Sequence, residues 1–200
     1  DSFITGNLYM DHIEVTENEI RVSIGNNQII TKKMVFCEGF QAYVSPLWHW
    51  LPWQLVKGEV LDIEVKDFQP DTILNKGVFI CPIGNQTFKT GSTYIWKDYS
   101  PEPTENGVQE IISKLKAYFL PDFKVLNVNS GIRPAVLHRR PFIGKHPEKT
   151  GFYIFNGFGS KAVSMAPYFA NHFAKNIVKN EKLSEDVDVK RFYDLYPVNA

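Results

Sequence analysis

The chain has 200 residues, of which 44% are hydrophobic and 14% aromatic, and this is enough apolar material for a folded domain with its own core. Its 22 basic and 22 acidic residues cancel, so the charge balance does not favour nucleic acid as a partner. No apolar run approaches the roughly 18 residues of a membrane span, and no signal peptide is visible. We therefore expect a cytoplasmic protein without a membrane partner.

Short strands are predicted for the first part of the chain. Apolar and polar residues alternate over residues 20–24, and Asn26-Asn27 offers a turn, which predicts an antiparallel meander. The apolar run 34–37 ends at Glu38-Gly39 and is typical of a strand buried on both faces. Residues 45–53 hold three of the four tryptophans and two prolines, and are predicted to form an aromatic loop.

A second sheet with a helix is predicted for the middle of the chain. Residues 61–65 alternate as in a half-exposed strand, and Gly84-Asn85 lies between two β-type runs as the turn of a hairpin. Thr104 is suited to cap a helix whose apolar residues recur at helical spacing as far as Phe119. A further strand is expected over residues 125–132.

The end of the chain combines a strand over residues 151–155, a glycine-rich turn, and a helix from Ala162 onward. Because sheets and helices are both present, the predicted fold class is α/β (α+β). The two cysteines, Cys37 and Cys81, lie in apolar runs, which predicts reduced core residues rather than a disulfide. The spacing of cysteines and histidines is not that of a metal site, so no metal is expected.

The turn Gly157-Phe158-Gly159-Ser160-Lys161-Ala162 fits the dinucleotide-binding pattern G-x-G-x-x-G/A. The second strand and the acidic residue that complete the pattern do not follow, so an independent nucleotide-binding domain is not predicted. A helix N-terminus still presents unpaired N–H groups and partial positive charge, which stabilise an anion or a partly anionic oxygen. A tight strand-to-helix turn without a ligand explains the pattern equally well.

Several short segments, taken in order, resemble one protein family. Gly131-Ile132-Arg133-Pro134 and residues 139–144 resemble its G-[IL]-R-P and P-x-I-G segments, and residues 155–168 resemble its last strand, turn and helix. Phe36-Cys37-Glu38-Gly39 resembles a strand that ends in glycine, and Lys57-Gly58-Glu59 resembles the strand that enters a substrate domain. The ordered set is similar to the C-terminal part of FAD-dependent oxidoreductases of the D-amino acid oxidase/glycine oxidase (DAO) family.

The resemblance implies part of a FAD-binding glutathione-reductase-like domain plus an antiparallel-sheet substrate domain. Residues 1–44 and 125–180 would form the C-terminal part of the FAD-binding domain, residues 45–124 the substrate-binding domain, and residues 181–200 a C-terminal tail. The family's own G-x-G-x-x-G would lie upstream of Asp1. A missing N-terminal FAD-binding segment is therefore expected as a partner, and the fragment alone is expected to bind FAD poorly and to be inactive.

The resemblance also implies roles for single residues. The residues expected to bind FAD are Gly39, Gly131, Gly157, Phe158, Gly159, Ser160 and Lys161. Lys161 would add positive charge near the flavin, although a solvated lysine in a first helical turn explains it equally well.

Arg133 matches the family arginine that binds the substrate carboxylate, for which its planar guanidinium is suited, while the alternative is a surface salt bridge. Phe79 aligns approximately with an active-site tyrosine of glycine oxidase. Since a phenyl ring donates no hydrogen bond, this residue counts against a simple glycine-like substrate. His49, among three tryptophans, would belong to a lid over the substrate, or else to ordinary core packing.

The implied activity is oxidation of the C–N bond of an amino acid or amine, with hydride transfer to flavin N5. Two alternatives stay open. One is a non-catalytic oxidoreductase-like binding module. The other is a relative of the flavin oxidoreductases that modify tRNA, against which the neutral charge argues modestly.

Overall fold

The computed structural model describes residues 4–17 and 19–197, and the chain divides into two compact units. The first unit comprises the chain up to Trp53 together with the chain from Val136 onward, and the second unit is Gln54–Ala135. In chain order the helices and strands are β1 Ile13–Val15, β2 Ile20–Ile24, β3 Asn27–Thr31, β4 Met34–Phe36, β5 Val56–Glu64, β6 Leu74–Lys76, β7 Val78–Gly84, β8 Thr87–Gly91, β9 Ile95–Trp96, α1 Glu105–Lys116, β10 Lys124–Arg133, β11 Phe142–Lys145, β12 Phe152–Asn156 and α2 Ala162–Lys179. Short 3-10 helices occupy Met10–His12, Gly39–Tyr43, Gly159–Lys161 and Val189–Leu195.

The boundaries between the two units lie after Trp53 and after Ala135, later in the sequence than the predicted boundaries at 44/45 and 124/125. The predicted aromatic loop 45–53 lies in the first unit, because Trp48 and Trp50 are buried in its core. Strand β10 lies in the second unit, because it pairs with β5 along nearly its whole length.

The first unit contains two small sheets. Strands β1, β2 and β3 form the antiparallel meander that the alternation predicted, with the turn at Gly25-Asn26. The second sheet has the order β11-β12-β4, in which β11 is antiparallel and β4 parallel to β12. Alternate residues of β12 pack on opposite faces: Phe152 and Ile154 join the core that contains Trp48, and Tyr153 joins a cluster with residues of α2. This sheet is therefore a middle layer.

Two predictions about burial in the first unit were wrong. Phe36 of β4 is buried, but Val35 is 39% exposed, because it lines a groove beside the strand's edge. Cys37 is exposed, because it follows the last residue of β4. The chain after α2 packs against the unit, with Leu183 and Val187 buried.

The second unit is an antiparallel sheet with one helix. The strand order is β10-β5-β8-β7-β6, and the two-residue β9 also pairs with β5. Alternation along β5 buries Leu61 and Ile63 against Ile111 and Leu115 of α1. The hairpin β7–β8 forms as predicted. Cys81 is a free, half-buried cysteine rather than a core residue, because in β7 it pairs with Lys89 on the face opposite α1.

Helix α1 begins where the sequence predicted. The hydroxyl of its N-cap, Thr104, accepts a hydrogen bond from the Gly107 N–H over 3.1 Å. The helix ends at Lys116, and Phe119 is buried just beyond it, so the apolar periodicity runs past the helix itself. No helix in the described ranges is both long and apolar enough to cross a bilayer.

Candidate functional site

The first candidate region lies where the parallel strands β4 and β12 of the first unit end. Because the strands are parallel, the turn at Gly39 and the turn that starts at Gly157 lie at the same edge of the sheet, here called the carboxyl edge. Asn156 connects the two turns. Its side-chain nitrogen donates to the Gly39 carbonyl over 2.9 Å, and its side-chain oxygen accepts from the Gly157 N–H over 2.8 Å. In open α/β sheets, ligands bind outside the carboxyl ends of the strands.

Different features of the structure explain why glycine occupies the individual positions of the carboxyl edge. Gly39 has φ +60° and no atom within 4 Å of its Cβ position, so a ligand can approach its backbone closely. Gly159 has φ +55°. A Cβ on Gly157, by contrast, would lie 2.8 Å from Cγ1 of Val136, so the chain's own packing explains that glycine.

The N-terminus of α2 is open to solvent. The 3-10 turn Gly159–Lys161 leads into the helix, no side chain caps it, and its first turn contains no acidic residue. Ser160 and Lys161 are exposed, and Lys161 forms no ion pair with a described residue. The ring of Phe158 packs 4.8 Å from that of Phe155. This end of α2 can therefore stabilise negative charge.

One polar atom at the carboxyl edge lacks a partner. Oε2 of Glu38, next to Gly39, is buried and accepts no hydrogen bond from any described residue. Burial raises the pKa of the Glu38 carboxyl, and a hydrogen bond from Ser45 acts against that rise. An unpaired buried acceptor is costly, so the site suits a ligand that brings O–H or N–H donors.

The second candidate region is the face of the second unit's sheet that lies opposite α1, here called the arginine face. Arg133 pairs with Val56, and two residues away Gly131 pairs with Gly58. Because paired residues of neighbouring strands point to the same face, these residues share the arginine face. Phe79 shares it too, since it pairs with Gly91.

Hydrogen bonds within the chain position the Arg133 guanidinium, but no described carboxylate neutralises its charge. Its Nη2 donates to the Ser92 hydroxyl over 2.6 Å, and its Nη1 donates to the Thr93 carbonyl over 3.3 Å. A Cβ on Gly58 would overlap the guanidinium, so glycine is required beneath it. No described carboxylate pairs with Arg133, so the surface salt bridge considered for it does not form with these residues.

The histidine of the aromatic loop is exposed between two buried tryptophans. Trp48 and Trp50 are buried core residues, while His49 between them is exposed, with its Nδ1 3.1 Å from the Ser45 carbonyl oxygen. Core packing therefore explains the tryptophans, and a lid role for His49 stays a prediction.

Buried charges on the α1 side of β5 fix the loop that approaches Arg133. Lys57 is fully buried, and its Nζ donates to Oδ2 of Asp98 over 2.8 Å, to Oγ of Ser100 over 2.9 Å and to the carbonyl of Glu102. The hydrogen bond from Lys57, with those from Ser100, lowers the pKa of Asp98 to about 2. Residues 98–102 are thereby tied to β5.

Glu59, also fully buried, acts in the same way at the start of α1. Its Oε1 accepts from the Thr104 N–H over 2.7 Å. Its own N–H donates to the Thr93 hydroxyl over 2.9 Å. Since the Thr93 carbonyl also accepts from Arg133, this one residue connects the buried charges to the arginine face.

Sequence reasoning missed most of these supporting residues. Asn156, Ser92 and Thr93 carry no pattern that distinguishes them from other polar residues at strand ends. The motif Lys57-Gly58-Glu59 indicates a strand that enters a substrate domain. Only the register of β5 with β10 shows that Gly58 lies under Arg133.

Comparison with known proteins decides the family. The model of the family described as DAO, FAD dependent oxidoreductase, matches residues 9–176. The chain belongs to this DAO family. Among curated relatives, the tRNA 5-methylaminomethyl-2-thiouridine biosynthesis bifunctional protein MnmC of Marinobacter nauticus is 28% identical over 157 residues, which is 69% of this chain and 25% of that protein. Glycine oxidase of Bacillus subtilis is 25% identical over 135 residues, 66% of this chain and 36% of the enzyme.

Solved structures of known enzymes share the fold of this chain. Glycine oxidase from Geobacillus kaustophilus superimposes with a TM-score of 0.69 at 19% identity, over 90% of this chain and 50% of that one. L-proline dehydrogenase from P. horikoshii gives 0.70 at 20% identity, over 94% and 54%. At these identities the likeness shows the fold alone. The chain spans about half the length of these structures and 25% and 36% of the two curated relatives.

The carboxyl edge fits the cofactor on which the DAO family depends. Gly39 leaves open space at the backbone, Glu38 has an unpaired buried acceptor for the hydroxyl groups of a flavin nucleotide, and the start of α2 is uncapped. Gly131, the remaining residue predicted to contact FAD, lies in the second unit on the arginine face, with no atom within 4 Å of its Cβ position.

Proposed function

We propose that this DAO-family chain is part of a flavoenzyme that oxidises the C–N bond of an amino acid or amine, and that Arg133 binds the substrate carboxylate. The observation that carries the proposal is the setting of the guanidinium, which is positioned by Ser92 and Thr93 and has no acidic partner among the described residues. Two of its five N–H donors are used within the chain, and the others remain for a carboxylate.

The residues of the carboxyl edge would hold the cofactor. FAD, when bound, would accept the hydride at N5. Gly39 and the backbone of residues 157–160 would allow its close approach. The N–H groups at the start of α2, with the Lys161 ammonium, would stabilise the negative charge that develops as the cofactor is reduced. Because that charge is absent before reduction, the interaction favours the reaction itself and not only binding.

The edge of β4 supports a further part of the proposal, namely that a protein segment outside these 200 residues completes the FAD site. In the described ranges β4 pairs only with β12, and a groove of about 690 Å³ lies along its other side. Val35 and Phe40 line that groove and are exposed. The unpaired N–H and C=O groups along a strand edge are a template for pairing with a further strand. We therefore expect the 200-residue chain alone to bind FAD poorly and to be inactive.

The test uses the full-length protein and the colour of its flavin. Under anaerobic conditions, amino acids and secondary amines that are substrates should bleach the flavin absorption. Replacing Arg133 with Met should lower kcat/KM for carboxylate substrates by roughly 100-fold, because the charge-assisted hydrogen bonds are lost, and Lys should restore only part of it. Arg140→Met, at an exposed arginine paired with Asp186, is the matched control.

The proposal fails if Arg133→Met bleaches as fast as the unchanged protein with every carboxylate tested. A full-length protein that binds no flavin would instead favour the non-catalytic binding module.

A second candidate function is favoured by the 28% identity to MnmC, whose name describes tRNA modification. On this hypothesis the protein acts on an amine-bearing modified uridine in tRNA. The balanced charge of 22 basic and 22 acidic residues counts against it, because tRNA binding needs phosphate-neutralising groups. Flavin bleaching by modified tRNA, but not by free amino acids, would establish this candidate instead.

A further inference from the structure

Two exposed aromatic side chains share the arginine face with Arg133. Val56 of β5 pairs with Trp96 of β9 on one side and with Arg133 of β10 on the other. Because paired residues point to the same face, the side chains of Trp96 and Arg133 share the arginine face. The ring of Tyr94 lies with its centroid 4.6 Å from Cζ of Arg133. Tyr94 is 59% and Trp96 58% exposed. Two large rings are thus left largely uncovered beside a guanidinium that has no carboxylate partner among the described residues.

Two glycines lie on the arginine face beside Arg133, and one of them is uncovered. Gly58 and Gly131 pair with each other across β5 and β10, two pairs away from Val56 and Arg133. The Arg133 guanidinium lies over Gly58, whereas no atom lies within 4 Å of the Cβ position of Gly131. A ligand carboxylate at Arg133 would therefore have open space above Gly131.

The stacking of Tyr94 on Arg133 explains only part of this arrangement. A cation–π contact accounts for one ring, but not for the exposure of Trp96 on the same face. The polar groups farther along the face bind one another, since Asp62 pairs with Lys89 over 2.7 Å and accepts from the Asn129 amide over 3.2 Å. The uncommitted surface next to Arg133 is therefore aromatic rather than polar.

We propose that this site selects carboxylates that bear an aromatic or bulky apolar group, which packs against Tyr94 and Trp96 while Arg133 binds the carboxylate. The proposal rests on the proposed function of Arg133 and adds the substrate class. Phe79 lies on the same face and presents a ring without a hydroxyl, which suits an apolar group better than a small polar one. Glycine and other small substrates would leave the rings uncovered.

Two carboxylates that differ only by a phenyl group test this directly. Acetate and phenylacetate are titrated into the full-length protein, and binding is followed by calorimetry as well as by the flavin spectrum. Phenylacetate should bind at least about tenfold more tightly, because its ring is buried between aromatic side chains. In turnover, aromatic amino acids should reduce the flavin with a higher kcat/KM than glycine does. Both L- and D-amino acids are tested, and the comparison uses the enantiomers that the enzyme accepts.

Single substitutions then assign the preference to these rings. Tyr94→Ala and Trp96→Ala should each weaken phenylacetate by roughly five- to tenfold and leave acetate nearly unchanged, while Trp96→Phe should keep most of the preference. Tyr168→Ala is the matched control, because Tyr168 is also exposed, at 69%, and lies on α2 in the first unit. All these side chains are exposed, so melting temperatures should not change.

The outcomes separate the two proposals. If acetate and phenylacetate bind equally, and both are weakened by Arg133→Met, the aromatic selection is overturned and Arg133 keeps its proposed role. If neither carboxylate depends on Arg133, both proposals are overturned. If phenylacetate is preferred and the preference disappears with Trp96 or Tyr94, the substrate class is supported.

Discussion

The charged side chains on the two faces of β5 lie in different environments. On the α1 side, Lys57 and Glu59 are fully buried, and their side chains bond to groups of the same chain. On the arginine face, Gly58 lies under the half-buried guanidinium of Arg133, which has hydrogen bonds but no counterion in the described ranges. Removing one partner of a buried charge pair is strongly destabilising, whereas a positioned charge without a counterion is available to a ligand.

The two faces are nevertheless coupled through one loop. Lys57 and Glu59 hold residues 93–104 from one side, and the same loop presents Ser92, the Thr93 carbonyl and Tyr94 to Arg133. The buried charges are thus positioning residues for the arginine face. Substitutions that separate stability from ligand binding test this comparison.

The largest effect is expected from Lys57→Met. The substitution removes a fully buried ammonium and leaves the Glu102 carbonyl and the Asp98 carboxylate without their donor. The free energy of unfolding should fall by about 3 kcal/mol, measured by denaturant unfolding. Lys89→Met is the control, because Lys89 is 38% exposed in its pair with Asp62 and should cost less than about 1 kcal/mol. Equal effects of the two substitutions would contradict the structural role of Lys57.

Gly107→Ala should have the next largest effect, and the sign is informative. Alanine in place of glycine within a helix ordinarily stabilises by up to about 1 kcal/mol. Here the added methyl group would overlap the carboxylate of Glu59, which is fully buried and bonded to Thr104. Because that carboxylate has nowhere to move, we expect destabilisation by about 2 kcal/mol in thermal or denaturant unfolding.

Gly131→Ala provides the comparison for that prediction. Its Cβ position is open, so the substitution should leave stability almost unchanged. A stabilised Gly107→Ala variant would show that Glu59 is free to rearrange.

Gly58→Ala should affect ligand binding more than stability. Its Cβ would overlap the guanidinium of Arg133, which is the far end of a flexible, half-buried side chain and can move aside. The fold should therefore lose little, while the affinity for a carboxylate such as phenylacetate should fall roughly tenfold, because the guanidinium leaves its place beside Ser92. Calorimetry and a thermal melt on the same preparation measure both effects. Unchanged carboxylate affinity would mean that Arg133 does not need this position.

Local patterns in the sequence predicted the elements that local interactions determine. Alternation identified β2 and β5, and the hydroxyl of Thr104 identified the start of α1, because each signal lies within a few residues. The resemblance of residues 131–134 singled out Arg133. How the chain holds that residue depends on pairing between distant strands, which periodicity cannot show.

Burial that depends on distant contacts was predicted less well. The exposure of Val35 and Cys37 follows from the groove beside β4, and the packing of Leu183 follows from contacts with α2. Neither leaves a regular spacing in the sequence. A Cβ at Gly157 would lie against Val136, and that close approach likewise leaves no local pattern.

The smallest effect is a difference in acid sensitivity between the two faces. The pKa of Asp98 is lowered from 3.8 to about 2, first by the hydrogen bond from Lys57. Because the folded state holds this carboxyl ionised, its contribution to stability is complete above about pH 4 and is lost as the pH falls toward 2. Lys57→Met should therefore flatten the decline of stability over this range. Arg133→Met should leave that decline as it is, because Arg133 pairs with no described carboxylate. Unfolding measured at successive pH values between 5 and 2, on the unchanged protein and both variants, would show whether the Lys57–Asp98 pair contributes to the acid sensitivity and Arg133 does not.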